Sequence, residues 1–140
     1  TVSNKELADR FRVYRDYTMI CDGVFNDALA VHVLRNRDKV LERNRAIVTG
    51  NLAVLERWLK GQPKLSFVKP RAGTTAFLKM EFDMPSADFC RGLLAEKGVL
   101  LVPGSVMDRE GYLRIGYANT PEVIAAGLDK MGEYLTELPL

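Results

Sequence analysis

The sequence predicts an α+β fold in which a small sheet of short strands packs against helices. Residues 75–82 and 112–118 alternate apolar and polar side chains, as half-buried strands do. Apolar residues recur at helical spacing over residues 36–60 and 120–135, and a further helix pattern lies at 86–97. From residue 36 onward, the order is helix, two strands, helix, two strands, helix, which defines this fold class.

Residues 1–35 have a different pattern, with two apolar helices and no strand pair. Ser3 and Glu6 stand at capping-box spacing, so we predict a helix that begins after Ser3 and ends near Arg15. Residues 17–21 are expected to be extended, and residues 24–34 are expected to form a buried helix. The chain is therefore divided into residues 1–35, which resemble part of something larger, and residues 36–140.

In the second part, Asn36 is predicted to cap a long helix that ends near Lys60, before Gly61 and Pro63. Strands follow at 65–69 and 75–82, and Ser86 is expected to cap a helix that runs through Lys97 and that Gly98 stops. The residues expected to face the core of the long helix and of the helix at 86–97 are Leu41, Val48, Leu52, Leu55, Leu59, Phe89, Leu93 and Leu94.

The last three elements are a strand at 99–102, a strand at 112–118 and a helix that starts at Pro121 with Thr120 as its N-cap. Alternation places Leu113, Ile115 and Tyr117 on one face of the second of these strands. The inner stripe of the final helix is expected to be Ile124, Leu128, Met131 and Leu135.

Composition excludes several classes of function. The net charge of +2 is too small to indicate nucleic acid or an anionic membrane surface as a partner, and no apolar run approaches the ~20 residues of a membrane span. Cys21 and Cys90 lack metal-ligand spacing and are expected to be reduced thiols, and His32 is expected to be a packed or surface residue. No metal site is predicted.

Arg114 stands in the middle of the predicted strand at 112–118, with Gly116 and Ala118 as small neighbours on its face. Because a guanidinium cannot shed its charge, it needs either water or an anion. Two interpretations follow from this stretch: a receptor for a carboxylate, or a surface arginine paired with a nearby acid. Surface arginines are the commoner case.

Several motifs together resemble one family. They are Gly-Val-Leu-Leu-Val-Pro-Gly at 98–104, Gly-Tyr-Leu-Arg-Ile at 111–115, Lys-Pro-Arg-Ala-Gly at 69–73, and Asn-Lys-Glu-Leu at 4–7. In this order, the motifs resemble the carboxy-terminal region of fold-type-I, class I/II aminotransferases, which use pyridoxal phosphate. The resemblance implies that residues 1–35 are the tail of the large cofactor-binding domain and that residues 36–140 are the small domain.

The resemblance also implies a function for Arg114. It matches the family's receptor for the substrate α-carboxylate, in an enzyme that exchanges an amino group between an amino acid and a 2-oxo acid. The family implies pyridoxal 5'-phosphate as cofactor and a cytoplasmic homodimer. The polar, glycine-containing connection at 18–23, which includes Asp22, either reaches the site of the neighbouring subunit or is a plain loop. We also expect apolar residues such as Phe11, Phe25 and Leu29 to drive self-association of this chain.

The departures from the family concern the cofactor. Ser3, Asn4 and Lys5 only loosely resemble the family's lysine segment, and Glu-Leu-Ala follows where that segment has glycine, so Lys5 is expected to be a surface residue. We therefore predict no catalytic and no cofactor-binding residue in this chain, and no transaminase activity for it alone. Two alternatives stay open: a lyase or decarboxylase of the same fold, and a non-catalytic module that binds an amino acid.

Overall fold

The computed structural model describes residues 3–19, 21 and 23–138. The chain forms two compact units, Thr1–Leu41 and Glu42–Leu140. The boundary between these units lies inside the helix Arg37–Leu59.

The first unit contains helices α1 (Lys5–Thr18) and α2 (Val24–Arg35) and the beginning of α3 (Arg37–Leu59). The predicted cap of α1 was wrong by one residue, because Asn4 accepts a hydrogen bond from the Leu7 N–H at 3.1 Å. The predicted end near Arg15 was also wrong, as was the extended conformation expected at Tyr17 and Thr18, whereas Met19 is extended and residue 20 lies outside the described residues. The helix continues to Thr18, whose hydroxyl donates to the Tyr14 carbonyl at 2.9 Å.

Helix α2 has the predicted position but not the predicted burial. None of its side chains is buried, and Phe25 is 85% exposed. The prediction failed because apolar composition does not by itself supply a surface to pack against. Asn36 also has a different role, since its side-chain amide donates to the His32 carbonyl at 2.9 Å and so ends α2.

The second unit contains a four-stranded antiparallel sheet with the order β1-β2-β4-β3. Its strands are β1 (Leu65–Phe67), β2 (Thr75–Met80), β3 (Val102–Pro103) and β4 (Tyr112–Gly116). Helices α4 (Ser86–Lys97) and α5 (Pro121–Glu137) complete it, with a 3-10 turn at Gly104–Met107. The predicted cap of α4 was wrong by one residue, because Ser86 is its first residue and Pro85 occupies the N-cap position.

The α+β fold class is confirmed. The predicted strand at 99–102 was wrong, because only Val102 of that stretch belongs to β3. The other three strands each end two residues earlier than predicted.

The core of the second unit lies between one face of the sheet and helices α3, α4 and α5. The alternation predicted for β2 and β4 is confirmed, as is the complete inner stripe of α5. Leu94 was wrongly placed inward: it is exposed, and Cys90 is buried on the inner face of α4 instead. Leu41 is likewise exposed, so the stripe of α3 is buried only toward its carboxy-terminal end.

None of the helices in the described part of the chain is long and apolar enough to cross a membrane.

Asn51 is the polar residue that ties helix α3 to the end of β4. It is only 1% exposed, and its side-chain amide donates to the carbonyls of Tyr117 at 2.9 Å and Asn119 at 2.7 Å. Because β4 ends at Gly116, these two carbonyls lie just beyond the strand and have no ladder partner there. The amide therefore satisfies acceptors that would otherwise be buried without a donor.

We predict that Asn51→Ala lowers the free energy of unfolding of this chain by about 1–3 kcal/mol, because it leaves these carbonyls without a donor. Urea denaturation followed by circular dichroism measures the change. Asn44→Ala, at an exposed position on the same helix, is the matched control and should change stability far less. Equal effects of the two substitutions would contradict the role of Asn51.

Candidate functional site

The candidate site is the exposed face of β4, with Arg114 at its centre. Leu113 and Ile115 point into the core and hold the strand, whereas Arg114 between them is exposed. The register pairs Arg114 with Phe77 of β2 on one side and with Val102 of β3 on the other. The guanidinium is therefore carried by an inner strand of the sheet and faces away from the helices.

The space beside Arg114 is open on one side. Gly116 follows it on the same face, and a Cβ atom added to that glycine would meet no other atom within 4 Å. Among the described residues, no carboxylate oxygen lies within 4.0 Å of the Arg114 guanidinium. Arg114 is thus solvated, as one interpretation of the sequence expected, but it lacks the acidic neighbour that this interpretation also required.

A groove of about 380 Å³ lies in the same unit, between the residues that precede β3 and helix α5, and its lining includes Ile115 and Gly116 of β4. Leu100, Val123 and Lys130 are among its lining residues, and Arg114 is not. The open position of Arg114 follows from the layering of the unit, because the helices cover only the other face of the sheet.

The end of β4 is fixed by a second contact besides Asn51. The Tyr117 hydroxyl donates to the Gly73 carbonyl at 3.0 Å, and the Tyr117 N–H donates to the Thr74 carbonyl at 2.9 Å. These bonds connect β4 to the turn at 70–73, one of the motifs noted in the sequence. The backbone just beyond β4 is therefore bonded to helix α3 through Asn51 and to the turn before β2 through Tyr117.

The loop before β4 is fixed by Gly104. A Cβ atom at this position would lie 2.0 Å from the Arg109 carbonyl oxygen and 2.6 Å from that of Tyr112, so only glycine fits this close approach of two backbone segments. The residue thereby sets where β4 begins.

Glu110, in the same loop, joins the start of β4 to helix α4. Its carboxylate accepts hydrogen bonds from the Ser86 N–H at 2.6 Å and the Gly111 N–H at 3.1 Å. The bond from the Ser86 backbone is the main reason why the pKa of Glu110 lies below its usual value, followed by the bond from Gly111. A carboxylate at the first turn of a helix also opposes the positive end of the helix dipole.

Comparisons with known proteins place this arrangement in a family. Capreomycidine synthase from Streptomyces vinaceus is 38% identical over 132 residues, which cover 94% of this chain and 34% of that protein. Aspartate aminotransferase from Pyrococcus abyssi is 34% identical over 139 residues, 96% of this chain and 36% of that protein. No family model matches the chain.

The structural comparison agrees with the sequence comparison. The crystal structure of a pyridoxal-phosphate-dependent aminotransferase from Streptococcus suis matches with a TM-score of 0.90 at 44% identity, over 99% of this chain and 37% of that one. This chain belongs to the family of pyridoxal-phosphate-dependent aminotransferases. It spans about a third of the length of these three relatives.

Within the described part of this aminotransferase-family chain, the lysine and cysteines noted in the sequence do not form a second functional site. Lys5 is an exposed residue of the first turn of α1, ion-paired with Asp9 at 2.8 Å, as predicted. Cys21 and Cys90 are free thiols, and burial raises the pKa of Cys90 to about 11. In the described residues, no three His, Cys, Asp or Glu side chains are grouped to hold a metal ion. Asp22, and with it part of the connection at 18–23, lies outside the described residues.

Two residues of the site region were not identified from the sequence. Asn51 could have been found, since it occupies a core position in the apolar stripe of α3 between Val48 and Leu55. Phe77 could not, because its position opposite Arg114 depends on the strand register, and the register depends on the whole sheet.

We predict that Glu110→Gln lowers the Tm of this chain at neutral pH. The folded-state pKa of Glu110 lies below the unfolded value, so the stabilisation is fully present above the unfolded pKa and is lost as the pH falls through the folded pKa. The difference in Tm between wild type and variant should therefore be largest near pH 7 and narrow below about pH 4.5.

Thermal unfolding followed by circular dichroism from pH 7 to pH 3 measures this difference. Glu42→Gln, at an exposed position on α3, removes the same charge without removing the cap of α4 and is the control. A difference in Tm that is independent of pH, or that widens in acid, would show that the Glu110 charge is not responsible.

Proposed function

We propose that Arg114 binds the α-carboxylate of an amino acid or 2-oxo acid, in an enzyme that transfers an amino group between such molecules. The observation that carries this proposal is a guanidinium on an inner strand of a well-anchored sheet, without a carboxylate within 4.0 Å among the described residues. The matching motif at 111–115 supports the same role for this residue.

Arginine suits this role for physical reasons. Its planar fork donates two parallel hydrogen bonds to one carboxylate and so fixes the orientation of the ligand as well as its position. Each bond to a charged group contributes about 1.5–3 kcal/mol. A substrate that is held at its carboxylate has its amino group or keto carbon aimed in one direction, which is how positioning lowers a reaction barrier.

The cofactor of the full-length enzyme is pyridoxal 5'-phosphate, which the titles of two similar solved structures name. When bound, this cofactor supplies the carbonyl chemistry that takes up and releases the amino group. Lys5, which loosely resembles the family's lysine segment, is exposed and ion-paired with Asp9 at 2.8 Å, so we assign no cofactor chemistry to it. The role proposed for this chain is therefore substrate binding, and the homodimer and the cytoplasmic location stay predictions.

One observation leaves a second reaction class open. Capreomycidine synthase is not named for amino transfer, although it matches 94% of this chain. Lyase or decarboxylase chemistry would use Arg114 in the same way, so the residues of this chain support both classes. Transfer of an amino group that depends on an added 2-oxo acid, assayed with the full-length enzyme, separates amino transfer from lyase chemistry. Binding of an amino acid by this chain alone would support the non-catalytic module.

We predict that Arg114→Gln in the full-length enzyme lowers kcat/KM for amino acids about 10²–10⁴-fold, which corresponds to the loss of two charge-assisted bonds. Arg114→Lys should restore only part of this, because an ammonium group is a point charge without the fork. Steady-state kinetics measures both. For an amine that lacks the carboxylate, Arg114→Gln should change kcat/KM little.

Arg91→Gln is the control for this experiment, since Arg91 is an exposed arginine on α4 that pairs with Asp88. Its kcat/KM should equal that of the wild type. If Arg114→Gln behaves like this control, or lowers activity toward the amine and the amino acid equally, Arg114 does not bind the carboxylate.

We also predict that this chain alone has no transaminase activity and forms no specific covalent adduct with the cofactor. Incubation with pyridoxal phosphate, borohydride reduction and peptide mass spectrometry provide the test. A stable pyridoxyl group on one particular lysine would contradict the prediction, whereas low, scattered labelling of exposed lysines agrees with it.

A further inference from the structure

Strand β3 is the outermost strand at one end of the sheet. It pairs with β4 through Val102 and Pro103, and none of the other described strands pairs with its second edge. An unpaired edge is a row of free backbone donors and acceptors, which natural proteins usually blunt with charged residues. Residues 98–102 contain no charged residue. We refer to residues 98–102 as the open edge.

The open edge has the sequence of a strand, but little of it is paired as one. Residues 99–102 are β-branched or apolar, which is the pattern of a strand. Only Val102 is paired, whereas Val99, Leu100 and Leu101 lie outside the ladder. Because strands are stabilised by pairs across their edges, this run can extend the sheet only beside a partner on its outer side.

The backbone of Leu101 is directed to this outer side. Pro103 has no N–H, so the hydrogen-bonded pair of the ladder between β3 and β4 is Val102 with Arg114. Hydrogen-bonding groups alternate between the two sides of a strand, so those of Leu101 face away from β4. Leu101 is only 6% exposed, and its N–H has no hydrogen-bond partner among the described residues. A donor in such a position is costly until an acceptor reaches it.

An apolar groove lies beside the open edge. It is the groove of about 380 Å³ between residues 98–101 and helix α5, and Leu100, Val123 and Met131 contribute to its lining. Leu100 is 75% exposed and Val123 is 53% exposed. Among the described lining residues, Lys130 alone is charged. A strand that runs along the open edge directs every second side chain to the same face, so apolar side chains of that strand can enter this groove.

We propose that the open edge binds an extended, apolar segment as a fifth strand of the sheet, and that this segment belongs to the same polypeptide in the full-length enzyme, outside these 140 residues. Backbone hydrogen bonds, including one from the Leu101 N–H, supply affinity, and the groove selects apolar side chains. This inference goes beyond the role proposed for Arg114 and does not depend on it.

The source of the segment is argued from length and linkage. The chain is about a third as long as the relatives that it matches. A segment that is covalently linked to the sheet is present at an effective concentration of about millimolar, so it outcompetes a free peptide or a second copy at the lower concentrations of proteins in solution.

Hydrogen exchange in the full-length enzyme measures this pairing directly. Mass spectrometry with electron-transfer fragmentation follows single amides. We expect the Leu101 amide to exchange at least about a hundredfold more slowly than an unstructured amide. The amide of Leu78, in the inner strand β2, is the reference for a paired strand. Exchange of Leu101 at the unstructured rate would overturn the proposal.

The substitution Leu100→Asp tests the side-chain contacts. Leu100 is largely exposed in this chain alone, so its substitution there should change the Tm little. In the full-length enzyme the added strand would bury the new charge, and the Tm should fall by at least about 4 °C. Leu94→Asp, at an exposed leucine on α4 outside the groove, is the matched control and should have the same effect in both proteins. Equal effects of Leu100→Asp in the two proteins would show that no strand covers this position.

A second copy is the rival occupant of the open edge, and dilution distinguishes it from the linked segment. Protection of the Leu101 amide that is independent of the concentration of the full-length enzyme supports a segment of the same polypeptide. Protection that falls on dilution, together with dissociation observed by light scattering, would show that two copies pair through their edges and would overturn the proposal.

Discussion

The side-chain amide of Asn51 is the interaction on which the candidate site depends. It crosses from helix α3 to the backbone beyond β4 and satisfies the carbonyls of Tyr117 and Asn119. A buried amide with two good acceptors is directional, whereas the leucines around it tolerate small shifts. The leucines of α3 therefore hold the helix against the sheet, and Asn51 determines where along the helix the end of β4 lies.

The side chains of β4 alternate between the buried face and the exposed face of the sheet. Leu113 and Ile115 are buried and fix the strand, while Arg114 between them is exposed. A guanidinium in the core would need a permanent partner, and that partner would occupy the groups that a substrate carboxylate must use. An arginine on the exposed face of an inner strand keeps its hydrogen-bonding capacity without losing its position.

Much of the second unit could be predicted from the sequence, for an identifiable reason. The alternation in β2 and β4 predicts strands with one buried face, and the apolar stripe of α5 predicts a helix with one buried face. The burial of Ile115 in β4 and of Leu128 in α5 confirms these two patterns. The errors occur where a local rule competes with another. Ser3 and Glu6 fit a capping box, but Asn4 is an equally good cap one residue later. The relation of Phe77 to Arg114 is set by strand register, which no local pattern contains.

Helix α2 shows the limit of composition as a guide to burial. Its residues are apolar around most of the helix, a pattern that predicts burial on several sides, yet Phe25 and Leu29 are exposed in this chain. An apolar helix is stable in water only when other groups cover it, so the pattern of α2 is informative about surfaces beyond the first unit. The chain spans about a third of the length of these relatives. The same reasoning applies to the carboxylate site proposed at Arg114: the exposed sheet face supplies one side of it, and the proposal requires further groups that enclose a substrate.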